Sequence, residues 1–154
     1  MPERIELKAV PDSHFVFRLI APDSTYFPAG ATLPLAGWLS ITKSDKQAAD
    51  ARGRAPGLSC FDRELCPVKT AKELLSRYDD LAFGATVTAL KAVATTHERQ
   101  LEVVYQPRTE KAPQPGLDAH VLIEGLSRPE GGVRKAQNDF LEAIVQALGA
   151  LGPA

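Results

Sequence analysis

Strand-like and helix-like patterns do not alternate strictly along this chain, which argues against a parallel sheet built from strand–helix–strand units. Two strand patterns, at residues 4–10 and 14–20, come before any helix pattern, and their spacing predicts an antiparallel pair joined by the turn at residues 11–13. We therefore predict one α+β domain over residues 1–154. Its sheet is mixed or mostly antiparallel, has about five strands, and carries helices packed on one face.

The remaining elements follow from the spacing of apolar residues. The longest helix pattern occupies residues 133–149, where Val133, Phe140 and Ile144 belong to one apolar stripe and Gly149 marks the end. Ser44 and Gln47 resemble a capping box at the start of a short surface helix. Helices are predicted at residues 45–51, 67–78, 86–96 and 133–149, and further strands at 58–62, 81–85, 101–105 and 118–125.

Twelve prolines and eleven glycines predict long, shaped loops around the core. The segment 25–42 contains many apolar residues, but its prolines and glycines break any regular period. We interpret it as an ordered loop held to the core by its aromatic residues. Trp38 is expected to pack over the core, because tryptophan is highly buried on average.

Composition and charge exclude several classes of protein. Apolar residues make up 44% and charged residues 24% of the 154 residues, which is typical of a globular chain. A net charge of -1 argues against a strongly basic nucleic-acid binder. The sequence contains no signal-peptide pattern and no apolar run of membrane-spanning length, and two cysteines are too few for a disulfide framework. We expect a soluble, cytoplasmic protein without a membrane partner.

Strong catalytic motifs are absent from the sequence. It contains no GxGxxG or GxxxxGK[ST] motif for nucleotides, and no HExxH or GxSxG motif for hydrolysis. No cofactor is therefore predicted.

A thiol–imidazole pair is one candidate for chemistry. Cys60 lies in one predicted strand and His120 in another, and Asp118 precedes His120 by two residues, on the same face of its strand. An imidazole near a thiol lowers the thiol pKa, and a carboxylate holds the imidazole in the useful tautomer. These residues would serve a cysteine-dependent hydrolase or transferase.

Two further candidates depend on other side chains. Arg52 and Arg54 flank a glycine in a basic loop, and guanidinium groups hold phosphate oxygens in two-point contacts, so a phosphate- or nucleotide-binding module is a third interpretation. The spacing of Cys60 and Cys66 does not match zinc ligands, so no metal site is predicted. His14 has no recognisable partner in the sequence.

The absence of a convergent catalytic signature favours binding over catalysis. We predict a small binding or accessory domain that acts through a protein partner or as a homo-oligomer. The C-terminal helix at 133–148 offers one surface for a second protein, although covering its own sheet is the simpler use of that helix.

Overall fold

The computed structural model describes residues 6–41, 46–47, 49–50, 53–106, 119–128 and 131–151. Its strands are β1 (Phe15–Ile20), β2 (Gly57–Asp62), β3 (Leu81–Thr86), β4 (Glu102–Tyr105), β5 (His120–Glu124) and β6 (Gly149–Leu151). Its helices are α1 (Val68–Leu74), α2 (Val87–Thr96) and α3 (Arg134–Ala147), with a short 3₁₀ helix at Ala36–Leu39. Of the predicted helix at 45–51, residues 46, 47, 49 and 50 are helical and the others lie outside the described residues.

The strands form one open sheet in the order β4-β5-β2-β1-β3-β6, and every neighbouring pair is antiparallel. This confirms the predicted α+β class with a mostly antiparallel sheet. The sheet has six strands in the described chain. The strand that the sequence pattern does not predict is β6, which is only three residues long and follows directly after the longest helix.

Two helices cover one face of the sheet, which we call the α2/α3 face. Because side chains alternate along a strand, Val16 and Cys60 point to this face, and they share a buried core with Leu90 of α2 and Phe140 of α3. The other face, the α1 face, carries a second cluster in which Phe17 and Leu19 of β1 pack with Val68 and Ala71 of α1. The two long helices thus lie on one face, as predicted, and the short α1 lies against the other.

Local capping explains where two helices begin and end. The hydroxyl of Thr86 accepts a hydrogen bond from the amide of Ala89 at 3.1 Å, which fixes the start of α2. The helix predicted at 67–78 ends at Leu74, because Ser76 adopts a positive φ of 53°. The amides of Ser76 and Arg77 then bond back to the carbonyls of Glu73 and Lys72, which is the Schellman arrangement that closes a helix.

The predicted hairpin between residues 4–10 and 14–20 is wrong in its described part. Residues 6–10 form no strand; Ala9 makes a single bridge to Val104, and Val10 donates to the carbonyl of Val103 at 2.9 Å. A turn follows Val10, in which the backbone amide of His14 donates to the carbonyl of Pro11. This turn separates the segment from β1. The segment runs along the outer edge of β4, while β1 pairs with β2 and β3.

Candidate functional site

The loop at residues 25–41 is held to the core at both ends by aromatic contacts. The rings of Phe27 and Phe83 lie 5.4 Å apart, and Trp38 meets Phe83 edge-on at 6.4 Å. The guanidinium of Arg18 stacks under Trp38 at 4.9 Å and donates to its carbonyl oxygen. Phe27 and Trp38 are both buried, so the described part of the predicted loop at 25–42 is held to the core by aromatic residues, as expected.

An open groove of about 690 Å³ lies between the middle of this loop and helix α3. Residues 30–36 form one wall, the buried Val145 of α3 also lines the groove, and Asp139, Glu142, Ala143 and Gln146 form the other wall. These four positions lie on one stripe of the helix, because residues three and four apart share a helix face. The buried neighbours Phe140 and Ile144 hold the opposite side of α3 in the core, so this stripe is presented outward.

The two walls of the groove differ in chemistry. On the loop wall, Leu33 is partly buried against the core, while Leu35 is 49% exposed. On the helix wall, Asp139 and Glu142 carry negative charge. The ammonium of Lys135, one turn away, donates to Asp139 at 3.0 Å, and this bond together with the charges of Asp139 and Glu142 raises the pKa of Lys135. The raised pKa of that lysine reflects the negative potential along this stripe.

The structure does not bring Cys60 and His120 together. In the β2–β5 register Cys60 lies opposite Val121, and His120 lies opposite Phe61, so the two side chains point to opposite faces of the sheet. His120 packs against the ring of Phe61 at 5.6 Å. Cys60 is buried on the α2/α3 face, and burial raises the pKa of its thiol to about 12, although the positive charge of Arg18 opposes this.

A thiol with a raised pKa is mostly protonated at neutral pH and is a poor nucleophile. Asp118, the third member of the predicted triad, lies outside the described residues. The cysteine-dependent enzyme therefore stays a prediction, and the geometry of Cys60 and His120 does not support it.

Arg54 forms a buried ion pair with Glu124. Its Nε and Nη2 atoms contact the carboxylate of Glu124 at 2.8–3.1 Å, and Nη2 also contacts Glu102 at 3.0 Å. The Arg54 side chain is 2% exposed and that of Glu124 is 3% exposed, so this cation faces two protein carboxylates. Arg52 lies outside the described residues. The phosphate-binding interpretation thus stays a prediction, with Arg54 engaged elsewhere.

The partners of His14 are not evident from the sequence. Its Nδ1 atom lies 2.8 Å from Oδ2 of Asp62, and the hydroxyl of Tyr105 donates to the same oxygen at 2.6 Å. Asp62 is fully buried, and its other oxygen accepts the amide of Glu64 at 3.0 Å. Burial and the carboxylate of Asp62 raise the pKa of Tyr105, which keeps the phenol protonated as a donor. This network joins β2 and β4 to the residue before β1, and the 48 and 43 residues between its partners left no local signal in the sequence.

Two negative findings concern the described part of the chain. No group of three His, Cys, Asp or Glu side chains there is arranged to hold a metal ion. None of its helices has the length and apolar run that a membrane span requires.

Comparisons with protein-family models, with curated proteins and with solved structures find no match to this chain.

Proposed function

We propose that this chain is a protein-binding domain that holds a segment of a partner protein in the groove between residues 30–36 and α3. The observation that carries the proposal is the groove itself, which is open, about 690 Å³ in volume, and bounded by a pinned loop and a firmly packed helix. Both walls are anchored through buried residues, Trp38 on one side and Phe140 on the other. A groove between anchored walls lowers the entropic cost of binding, because little has to be ordered when the partner arrives.

The chemistry of the walls favours a peptide segment over a small apolar ligand. Small-molecule pockets are lined mainly by apolar side chains with few polar groups. Here one wall offers leucines and main chain, and the other combines the apolar Ala143 and Val145 with two carboxylates and the amide of Gln146. A peptide suits this combination because it carries apolar and polar side chains close together and presents main-chain donors and acceptors.

The candidate catalytic residues support the same choice. Cys60 is buried with a raised pKa and separated from His120 by the sheet, and Arg54 is paired with Glu124. We therefore favour a binding role over the cysteine-dependent and phosphate-binding alternatives.

A peptide-display selection tests the proposal. Random twelve-residue peptides are selected on the immobilised protein, and the enriched peptides are then measured against two matched variants of α3. Ala143→Trp places a large ring in the groove, whereas Ala136→Trp places the same ring on an exposed part of α3 outside it. Circular dichroism verifies that both variants keep the native fold.

We expect peptides selected on the natural chain to bind Ala143→Trp at least about tenfold more weakly, a difference of about 1.4 kcal/mol in binding free energy. Their affinity for Ala136→Trp should stay within about twofold. Failure to enrich any peptide, or enriched peptides that bind both variants equally, would contradict the proposal. Light scattering tests the alternative that a second copy occupies the groove, since a dimer that Ala143→Trp dissociates would assign the groove to self-assembly.

A further inference from the structure

The charge of the groove indicates what kind of segment it accepts, an inference that rests on the proposed function. Among the residues that line it, two are acidic and none is basic. Asp139 and Glu142 lie one helical turn apart, so their Cβ atoms are about 5–6 Å from each other. One guanidinium, with its five N–H donors in a planar fork, spans such a pair.

The existing partner of this pair does not block an incoming cation. Among the described residues, Lys135 forms its ion pair with Asp139, and its side chain is 84% exposed. An ion pair this exposed contributes little free energy. Replacing Lys135 at the Asp139 carboxylate by a better placed cation therefore costs little. Glu142 makes no hydrogen bond or ion pair with a residue in the described ranges, which leaves its carboxylate available to a ligand.

The opposite wall supplies the second element of recognition. Leu35, which lines the groove, is 49% exposed, and Ala143 on the helix wall carries only a methyl group. We propose that the partner segment is basic and amphipathic: an Arg or Lys side chain meets Asp139 and Glu142, and a neighbouring apolar side chain packs on Leu35. Arginine is favoured over lysine, because its fork contacts both carboxylates at once.

The amino-acid content of the selected peptides tests this inference. Selections are run in parallel on the natural chain, on the Asp139→Asn/Glu142→Gln double variant, and on Glu73→Gln. The last variant removes one exposed carboxylate on α1, outside the groove, and is the control for loss of surface charge elsewhere. All three substituted side chains are exposed, and circular dichroism verifies that each protein is folded.

We expect at least about a twofold excess of Arg and Lys in peptides from the natural chain and from Glu73→Gln, relative to the unselected library. The excess should disappear in peptides from the double variant. Peptides selected on the natural chain should bind the double variant about tenfold more weakly, and their affinity for the natural chain should fall as salt is raised.

The two proposals fail in different ways. Peptides that Ala143→Trp rejects, but that show no excess of Arg or Lys and are insensitive to the double variant, would overturn the basic partner and keep the binding groove. Selections that enrich no peptide would overturn both.

Discussion

The ion pair between Arg54 and Glu124 provides the sharpest test of the energetics in this fold. Both side chains are almost completely buried, and the guanidinium contacts both carboxylate oxygens. Glu102 contacts the same guanidinium, but its side chain is 54% exposed. The two glutamates thus share one cation, but Glu124 is buried and contacts Arg54 through both carboxylate oxygens, whereas Glu102 is about half exposed and contacts it through Oε2.

Removing the buried carboxylate leaves a buried positive charge with a weaker partner. Breaking a buried ion pair from one side typically costs about 3–5 kcal/mol. Because Glu102 still contacts Arg54, we expect Glu124→Ala to lower the free energy of unfolding by about 3 kcal/mol, the lower end of that range. For a chain of this length this corresponds to a fall of roughly 6–12 °C in melting temperature. Glu102→Ala should cost less, about 1 kcal/mol, because the Glu102 carboxylate is half exposed and Arg54 keeps its buried contact with Glu124.

Urea unfolding followed by circular dichroism and by the fluorescence of Trp38 measures both variants. The double variant Arg54→Met/Glu124→Leu is the control for burial itself, and we expect it to recover most of the lost stability, since an apolar pair replaces a desolvated ionic one. Equal, small losses for Glu124→Ala and Glu102→Ala would refute the reasoning that desolvation makes the Arg54–Glu124 contact critical.

Two further predictions concern the buried titratable groups. Burial raises the pKa of Cys60 to about 12, so iodoacetamide at pH 8 should leave this thiol unmodified in the native protein and alkylate it in urea. Mass spectrometry measures the extent of alkylation in both states. Rapid alkylation of Cys60 in the native protein would contradict its buried placement. The pKa of Tyr105 is raised in the folded state, so the unfolded chain loses this proton first, and stability should fall above about pH 10 by up to about 1.4 kcal/mol per pH unit. Tyr105→Phe should remove this pH-dependent fall in stability from urea-unfolding curves at pH 9–11. Tyr78→Phe, at a 66% exposed position, should leave it in place. Identical pH dependence of stability in both variants would argue against the hydrogen bond from Tyr105 to Asp62.

The elements that the sequence predicts well are those with a local physical signal. The start of α2 depends on the Thr86 hydroxyl and an amide three residues later, so the sequence contains the whole interaction. The stripe that includes Phe140 and Ile144 identifies α3 in the same way. By contrast, β6 begins at Gly149, a residue whose sequence context predicts only the end of a helix. A strand of three residues is too short to show the alternating apolar pattern of a strand. It forms because it pairs with β3, where Leu151 lies opposite Ala82.

The candidate site is also only partly predictable from the sequence. The sequence predicts both elements that form the walls of the groove, the loop with Trp38 and the C-terminal helix. It does not predict the distance between them, which creates the groove. The partners of His14 and Arg54 were also hidden, since Asp62 and Glu124 lie 48 and 70 residues away along the chain.

By itself, the sequence determined the type of most elements, the α+β class and the apolar anchors of the long loop, because periodicity, capping and composition act within a few residues. Tertiary structure alone decided the strand order, the opposite faces of Cys60 and His120, the buried pairing of Arg54 and the groove beside α3. These features depend on strand register and on contacts between distant segments, and such contacts form only when the whole sheet buries its two faces.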